Sequence, residues 1–206
     1  MSGDFPKKEP VMANTNAPFG FKQYQGTGSA PTYEQIAVQL QYNANAIYFG
    51  DPVVALADGT YAQASSNSAA NGVGGIFVGC KYLSVAQKRT VWSNYWPGSD
   101  VASGNYVEAY IVNDPNAKFI VQSDSTGVTL AGVNANIGFA IGTGNAASGI
   151  SGAYLDASTI ATTNTLPFRI ISLVVDPPGS AGTASGAYNY VVVAFNNVAT
   201  KQLTAI

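Results

Sequence analysis

The sequence contains no histidine and one cysteine, Cys80. Without an imidazole, neither a Ser-His-Asp nor a Cys-His arrangement can form, and the commonest zinc ligand is missing. A single thiol also leaves no intramolecular disulfide and no thiolate cage for zinc. In the apolar stretch GGIFVGCKYL (74–83) Cys80 reads as a buried, inert thiol rather than a nucleophile. Carboxylates could still do acid and base work, given two of them about 5–10 Å apart across a substrate. Asp51 precedes Pro52, Asp58 precedes Gly59, Asp114 precedes Pro115 and Asp176 precedes Pro177, contexts in which the side chain caps its own turn. Only Glu34 and Glu108 fall in predicted strands, and Glu108, among Tyr106, Val107, Ala109 and Tyr110, is expected to face solvent or an interface. The run Gly142 to Ala147 lacks the Lys-Ser/Thr and the helix of a phosphate loop, its third glycine being displaced to Gly149. The spacing of a calcium-binding loop is absent as well. The expectation is a protein with no catalytic residues, no metal and no cofactor.

Residue types suited to binding are present. Trp92, Tyr95 and Trp96 form an aromatic group that suits ordinary core, a protein hot spot or a sugar-stacking platform. Phe19 and Phe21 flank Gly20 in an otherwise polar segment and need somewhere to bury, so they are candidate anchors.

The elements around these residues read as short strands at turn spacing. Residues 1–32 are rich in Gly, Pro, Asn, Gln and Lys without a sustained period, and are predicted to form an extended N-terminal arm. Met12 could be a second translation start, which would make residues 1–11 a dispensable leader. Alternation of Ile36, Val38, Leu40 and Tyr42 with polar or small residues predicts a half-buried strand. A short strand is expected over 46–49, and Val53 to Ala57 runs into Asp58-Gly59, a hairpin signal. Residues 74–82 are apolar on both faces, as in a central strand, and 90–96 carry the aromatic group. Residues 106–112 and 118–122 are expected to pair through the turn 113–116. Helix is conceivable only over 153–160, where Ser158 and Thr159 weaken it. Two strong β-segments, 168–175 and 188–195, close the pattern around the loop 177–186, and no repeat appears. The fold class is mainly β, an antiparallel β-barrel or sandwich in a single domain, 33–206, preceded by the arm.

Composition narrows the partners. Charged residues make up 10% of the chain, against roughly 25% in average soluble proteins. A surface of hydroxyls, amides and small residues is easier to desolvate than one of ionised groups, and so suits a protein packed against other subunits. A net charge of −2, with no basic cluster larger than Lys7-Lys8 or Lys88-Arg89, argues against nucleic acid as partner. No run approaches a membrane-spanning helix, and the start lacks the apolar stretch of a signal peptide, so a soluble protein made in a cytoplasm is expected.

An ordered set of motifs resembles a family of tailed-phage virion proteins, the capsid decoration or cement proteins. The set opens with Met12-Ala13-Asn14 through Ala17-Pro18-Phe19-Gly20-Phe21, and continues with Ile47-Tyr48-Phe49-Gly50-Asp51-Pro52-Val53 and with Gly75 to Tyr82. Ser93-Asn94-Tyr95-Trp96-Pro97-Gly98, Ala109 to Pro115, Leu166 to Val174 and Val191 to Asn197 complete it, in order over most of the chain. The first eleven residues lie outside the pattern, and Val198 stands where a histidine would be expected. The resemblance implies a non-enzymatic subunit on the outer surface of the capsid, made in the host cytoplasm. Its partners would be the major capsid protein and copies of itself, a trimer being favoured, with neither nucleic acid nor membrane involved. It further implies that Phe19 and Phe21 anchor the arm. The competing reading is a receptor-binding, fiber or adhesin module in which Trp92, Tyr95 and Trp96 meet a glycan.

Overall fold

The computed structural model describes residues 13–25, 35–66, 72–175 and 179–201. The leader 1–11, Met12, Glu34 and Asp176 lie outside the described residues. Among the described residues the chain forms β1 (Lys22–Gln25), β2 (Gln35–Gln39), β3 (Pro52–Ala55), β4 (Tyr61–Gln63), β5 (Gly75–Leu83) and β6 (Thr90–Ser93). Then follow β7 (Glu108–Val112), β8 (Lys118–Gln122), β9 (Asn136–Ala140), β10 (Tyr154–Ala161), β11 (Phe168–Leu173) and β12 (Tyr190–Phe195). The only helical pieces described are two short 3-10 turns, Leu130–Gly132 and Ala199–Lys201. No helix there is long and apolar enough to cross a membrane.

The strands make two antiparallel sheets, a β-sandwich. One runs β1-β8-β12-β11-β9-β10; the other runs β2-β7-β5-β3-β4, with β6 also on β5. The first sheet curls towards closure, because Ser123, just past β8, bridges Leu155 of β10 and the Asp124 N–H donates to the Leu155 carbonyl at 3.0 Å. Period-2 alternation points Phe119 and Val121, Val191, Val193 and Phe195, Phe168 and Ile170, and Ile137 and Phe139 into one core. Ile76 of β5 and Val112 of β7 cover that core from the second sheet. Their neighbours Phe77 and Ile111 point the other way, into a second core with Leu40, Ile47, Val53, Cys80, Tyr82 and Trp96. The central strand β5 is therefore apolar on both faces for a physical reason: each face has its own core.

Turn chemistry acts where the sequence places it. Asp58 accepts from the Thr60 N–H at 2.9 Å and Gly59 takes φ +81°, which closes the β3–β4 hairpin. Three expectations change. Residues 106–112 and 118–122 do not pair: β2 and β5 occupy both edges of β7, so the turn 113–116 carries the chain from one sheet to the other. Residues 154–161 are strand rather than helix, since β9 offers an open edge and Thr159 and Ile160 are β-branched. Residues 46–49 make only isolated bridges, Ile47 to Trp96 and Phe49 to Ile150.

The described part of the arm lies along the first sheet. Gln122 accepts from the Ala17 N–H at 2.9 Å and donates to the Thr15 carbonyl at 2.8 Å. Gly20 adopts φ +72°, and a Cβ there would lie 2.6 Å from the Ser151 Cβ, so only glycine lets the chain pass this close. Beyond it the Phe21 N–H donates to the Gly50 carbonyl at 2.9 Å, and β1 adds to the edge of β8. Phe21 is 1% exposed and stacks on Phe168 at 4.4 Å between ring centroids. Phe19, half-buried, meets the edge of Tyr190 at 5.2 Å. Phe21→Ala is expected to lower unfolding free energy by about 3–5 kcal/mol in urea titrations. Phe19→Ala should cost about 1 kcal/mol. Equal losses would contradict this division of labour.

Candidate functional site

The most chemically varied exposed surface lies on the same face of the second sheet as Ile76 and Val112, beyond the part of that face that covers the first core. Cys80 and Tyr82 point into the second core, so alternation turns Lys81 outward. Register then places Trp92 of β6 opposite Lys81, Lys81 opposite Glu108 of β7, and Tyr110 opposite Gly79. Lys81 Nζ lies 3.1 Å from Glu108 Oε1 and 5.1 Å from the centroid of the Trp92 ring. The Tyr110 hydroxyl donates to the same Glu108 oxygen at 2.6 Å. The rings of Trp92 and Tyr110 lie 5.8 Å apart and 6° from parallel. Trp92 remains 67% exposed, a large flat apolar surface held in place by a cation and a neighbouring ring.

The Tyr110 hydroxyl, and then Lys81, hold the Glu108 carboxyl below its usual range, and Glu108 in turn raises the Lys81 ammonium. Both groups are thereby pushed away from neutrality, the reverse of the tuning that general acid-base work needs near pH 7. These charges orient the rings.

A groove leads from this platform towards the seam between the sheets. Its outer part, about 450 Å³, is lined by Trp92, Asn94, Tyr110, Gln35 and Val78. The last three also border an inner cavity of about 340 Å³, with Phe21, Gln23, Ile76, Val112 and Phe119. Lys22 and Phe49 connect that cavity to a further hollow of about 420 Å³ beside Phe19, Ile150 and Tyr190. Gln23 Nε2 is buried here with no hydrogen-bond partner, the only such side-chain atom among the described residues. Such orphan donors are rare in folded proteins and merit an explanation.

Comparison of the chain with family models, with curated proteins and with solved structures finds no match.

The aromatic group expected over 92–96 is divided by the fold. A bend at 94–95 breaks the strand; Trp96 then enters the second core at 1% exposure, donates to the Ala44 carbonyl at 3.3 Å and packs edge-on to Tyr82 at 4.9 Å. Tyr95 stacks on Tyr48 at 5.6 Å, and of the three only Trp92 is an open surface. Phe21 is likewise core, while Phe19 borders the last hollow of the groove. Sequence reasoning did not single out Lys81, Tyr110, Gln23 or Gln35. The signal for Lys81 was a charge between the buried Cys80 and Tyr82, which marks an outward position.

Among the described residues no cluster of three or more His, Cys, Asp or Glu gathers. Cys80 is buried, and desolvation pushes its thiol up to about 12. Asp51 does more than cap its turn. It is buried and accepts from the Tyr48 N–H at 2.8 Å, from Gln63 Nε2 at 2.7 Å and from the Ser151 hydroxyl, tying three segments together. Burial raises its carboxyl, and the three hydrogen bonds only partly oppose this. A raised folded value means stability that is fully present below the unfolded value of about 3.8 and lost as pH rises through the folded one. Asp51→Asn removes that titration while leaving the lowered carboxyls Asp58, Asp100 and Glu108 in place. The stability of wild type minus that of the variant should therefore fall as pH rises above about 4 in urea unfolding. A difference that grows with pH would reverse the assignment.

Proposed function

We propose that this chain is a structural virion subunit, one that decorates and stabilises the expanded capsid of a tailed phage by binding the major capsid protein and copies of itself. The observation that carries the reading is an exposed apolar end on the second sheet. Tyr42 is 67% exposed, Tyr106 59% and Val85 57%. Tyr42 and Tyr106 flank one small cleft lined by Val101 and Trp96. Leu83 and Val85 join it through the backbone, since the Ala102 N–H donates to the Leu83 carbonyl at 2.9 Å and the Val85 N–H to the Asp100 carbonyl at 3.1 Å.

Gathered apolar residues of this kind are what an interface covers. The charge-poor composition supports the same reading, because few ionised groups need desolvating when such a subunit docks. So does the ordered resemblance to decoration proteins. A ligand that binds only the expanded lattice stabilises it by its binding free energy, and many weak contacts add through multivalency.

The purified chain should co-sediment with expanded phage heads and occupy them in hundreds of copies rather than a handful. Tyr42→Ser combined with Val85→Ser should cut occupancy at least tenfold with an unchanged melting temperature, since both side chains are exposed. Undiminished occupancy, or a wild-type chain that ignores assembled heads, would refute the proposal.

A further inference from the structure

The groove beside Trp92 has a chemistry of its own, independent of capsid docking. Glu108 and Val112 lie four residue steps apart on β7, about 13 Å at strand rise, and Tyr110 between them borders both the outer groove and the inner cavity. At its outer end stands a flat, exposed indole, braced by Tyr110 and Lys81. At its inner end is a mostly apolar cavity walled by Phe21, Ile76, Val78, Val112 and Phe119, with Lys22 and Phe49 at its border. Into that apolar lining is set one polar feature without a partner, the Gln23 amide nitrogen. Between the two ends lie the side chains of Gln35 and Tyr110.

We infer that this groove binds a short oligosaccharide of N-acetylated hexosamine, stacking one pyranose ring on Trp92 and receiving an acetamido group beside Gln23. The chemistry selects this ligand at both ends. The C–H face of a pyranose is flat and weakly polarised positive, and it packs on the negative face of an aromatic ring. An acetamido group combines a methyl, which the apolar walls accommodate, with a carbonyl that can only accept, which satisfies an amide donor otherwise buried without a bond.

The test is a fluorescence and calorimetric titration of the full chain with chitohexaose, with cellohexaose as the probe that lacks the acetamido group. Trp92 and Trp96 are the two tryptophans, and the second is buried, so a ligand-induced change should report Trp92. Chitohexaose should bind saturably, and cellohexaose at least tenfold more weakly. Trp92→Ala, at an exposed position, should weaken chitohexaose at least tenfold without lowering the melting temperature. Gln23→Leu should remove most of the preference for chitohexaose over cellohexaose while leaving cellohexaose binding intact. Absence of saturable binding at millimolar sugar, equal affinity for the two hexasaccharides, or an unaltered Trp92→Ala would overturn the inference. So would a Trp92 signal that responds to phage heads and not to sugar, which would assign the groove to a protein. The Tyr42→Ser, Val85→Ser variant should bind chitohexaose like wild type, so failure of capsid docking and failure of sugar binding are separable.

Discussion

Five phenylalanine rings hold the molecule together. Phe21, Phe119, Phe139, Phe168 and Phe195 come from the arm segment and from four strands of the first sheet, and all five are buried in one core. Phe21 stacks on Phe168 at 4.4 Å and meets the edges of Phe139 and Phe119 at 6.1 and 6.4 Å. Phe195 closes the group against Phe119 and Phe168 at 5.1 and 5.7 Å. Each buried ring contributes on the order of 2–3 kcal/mol, with edge and offset geometry adding to it. With one thiol and no disulfide, packing of this kind carries the stability.

The second sheet depends on that core through β5 and β7. Ile76 and Val112 close the phenylalanine core, and because side chains alternate, the residues beside them must face away. A second apolar group, centred on Phe77, Ile111 and Trp96, forms there and seats the loop that carries Ala44 and Ile47. A register shift between Phe77 and Gly79 keeps Cys80 and Tyr82 in this second core and turns Lys81 out. The exposed platform of Lys81, Trp92, Glu108 and Tyr110 is thus a consequence of how β5 is shared between two cores.

The buried carboxylate at the seam belongs to the same logic. Asp51 binds the Tyr48 N–H, the Gln63 amide and the Ser151 hydroxyl, so one side chain ties the segment before β3 to β4 and to the chain entering β10. Close passage of backbone at Gly20 and Gly50 brings the arm to this point, where the Phe21 N–H meets the Gly50 carbonyl. The groove runs beside the same junction, which is why its inner lining draws on both sheets.

Much of this architecture was legible in the residues alone. Strand character, the Asp58-Gly59 hairpin, the two-faced apolar run 74–82 and the burial of Cys80 follow from alternation, from turn chemistry and from an apolar neighbourhood. The absence of imidazole needs no fold to interpret. What alternation cannot say is which neighbour lies across each strand. Residues 106–112 and 118–122 look like a hairpin until β2 and β5 claim both edges of β7. Trp92 and Trp96 look alike in sequence, and only the bend between them sends one to solvent and the other to a core. A period of two separates the faces of a strand, but long-range pairing alone decides which face is covered, and so the exposed platform, the groove and the orphan amide of Gln23 belong to the tertiary structure.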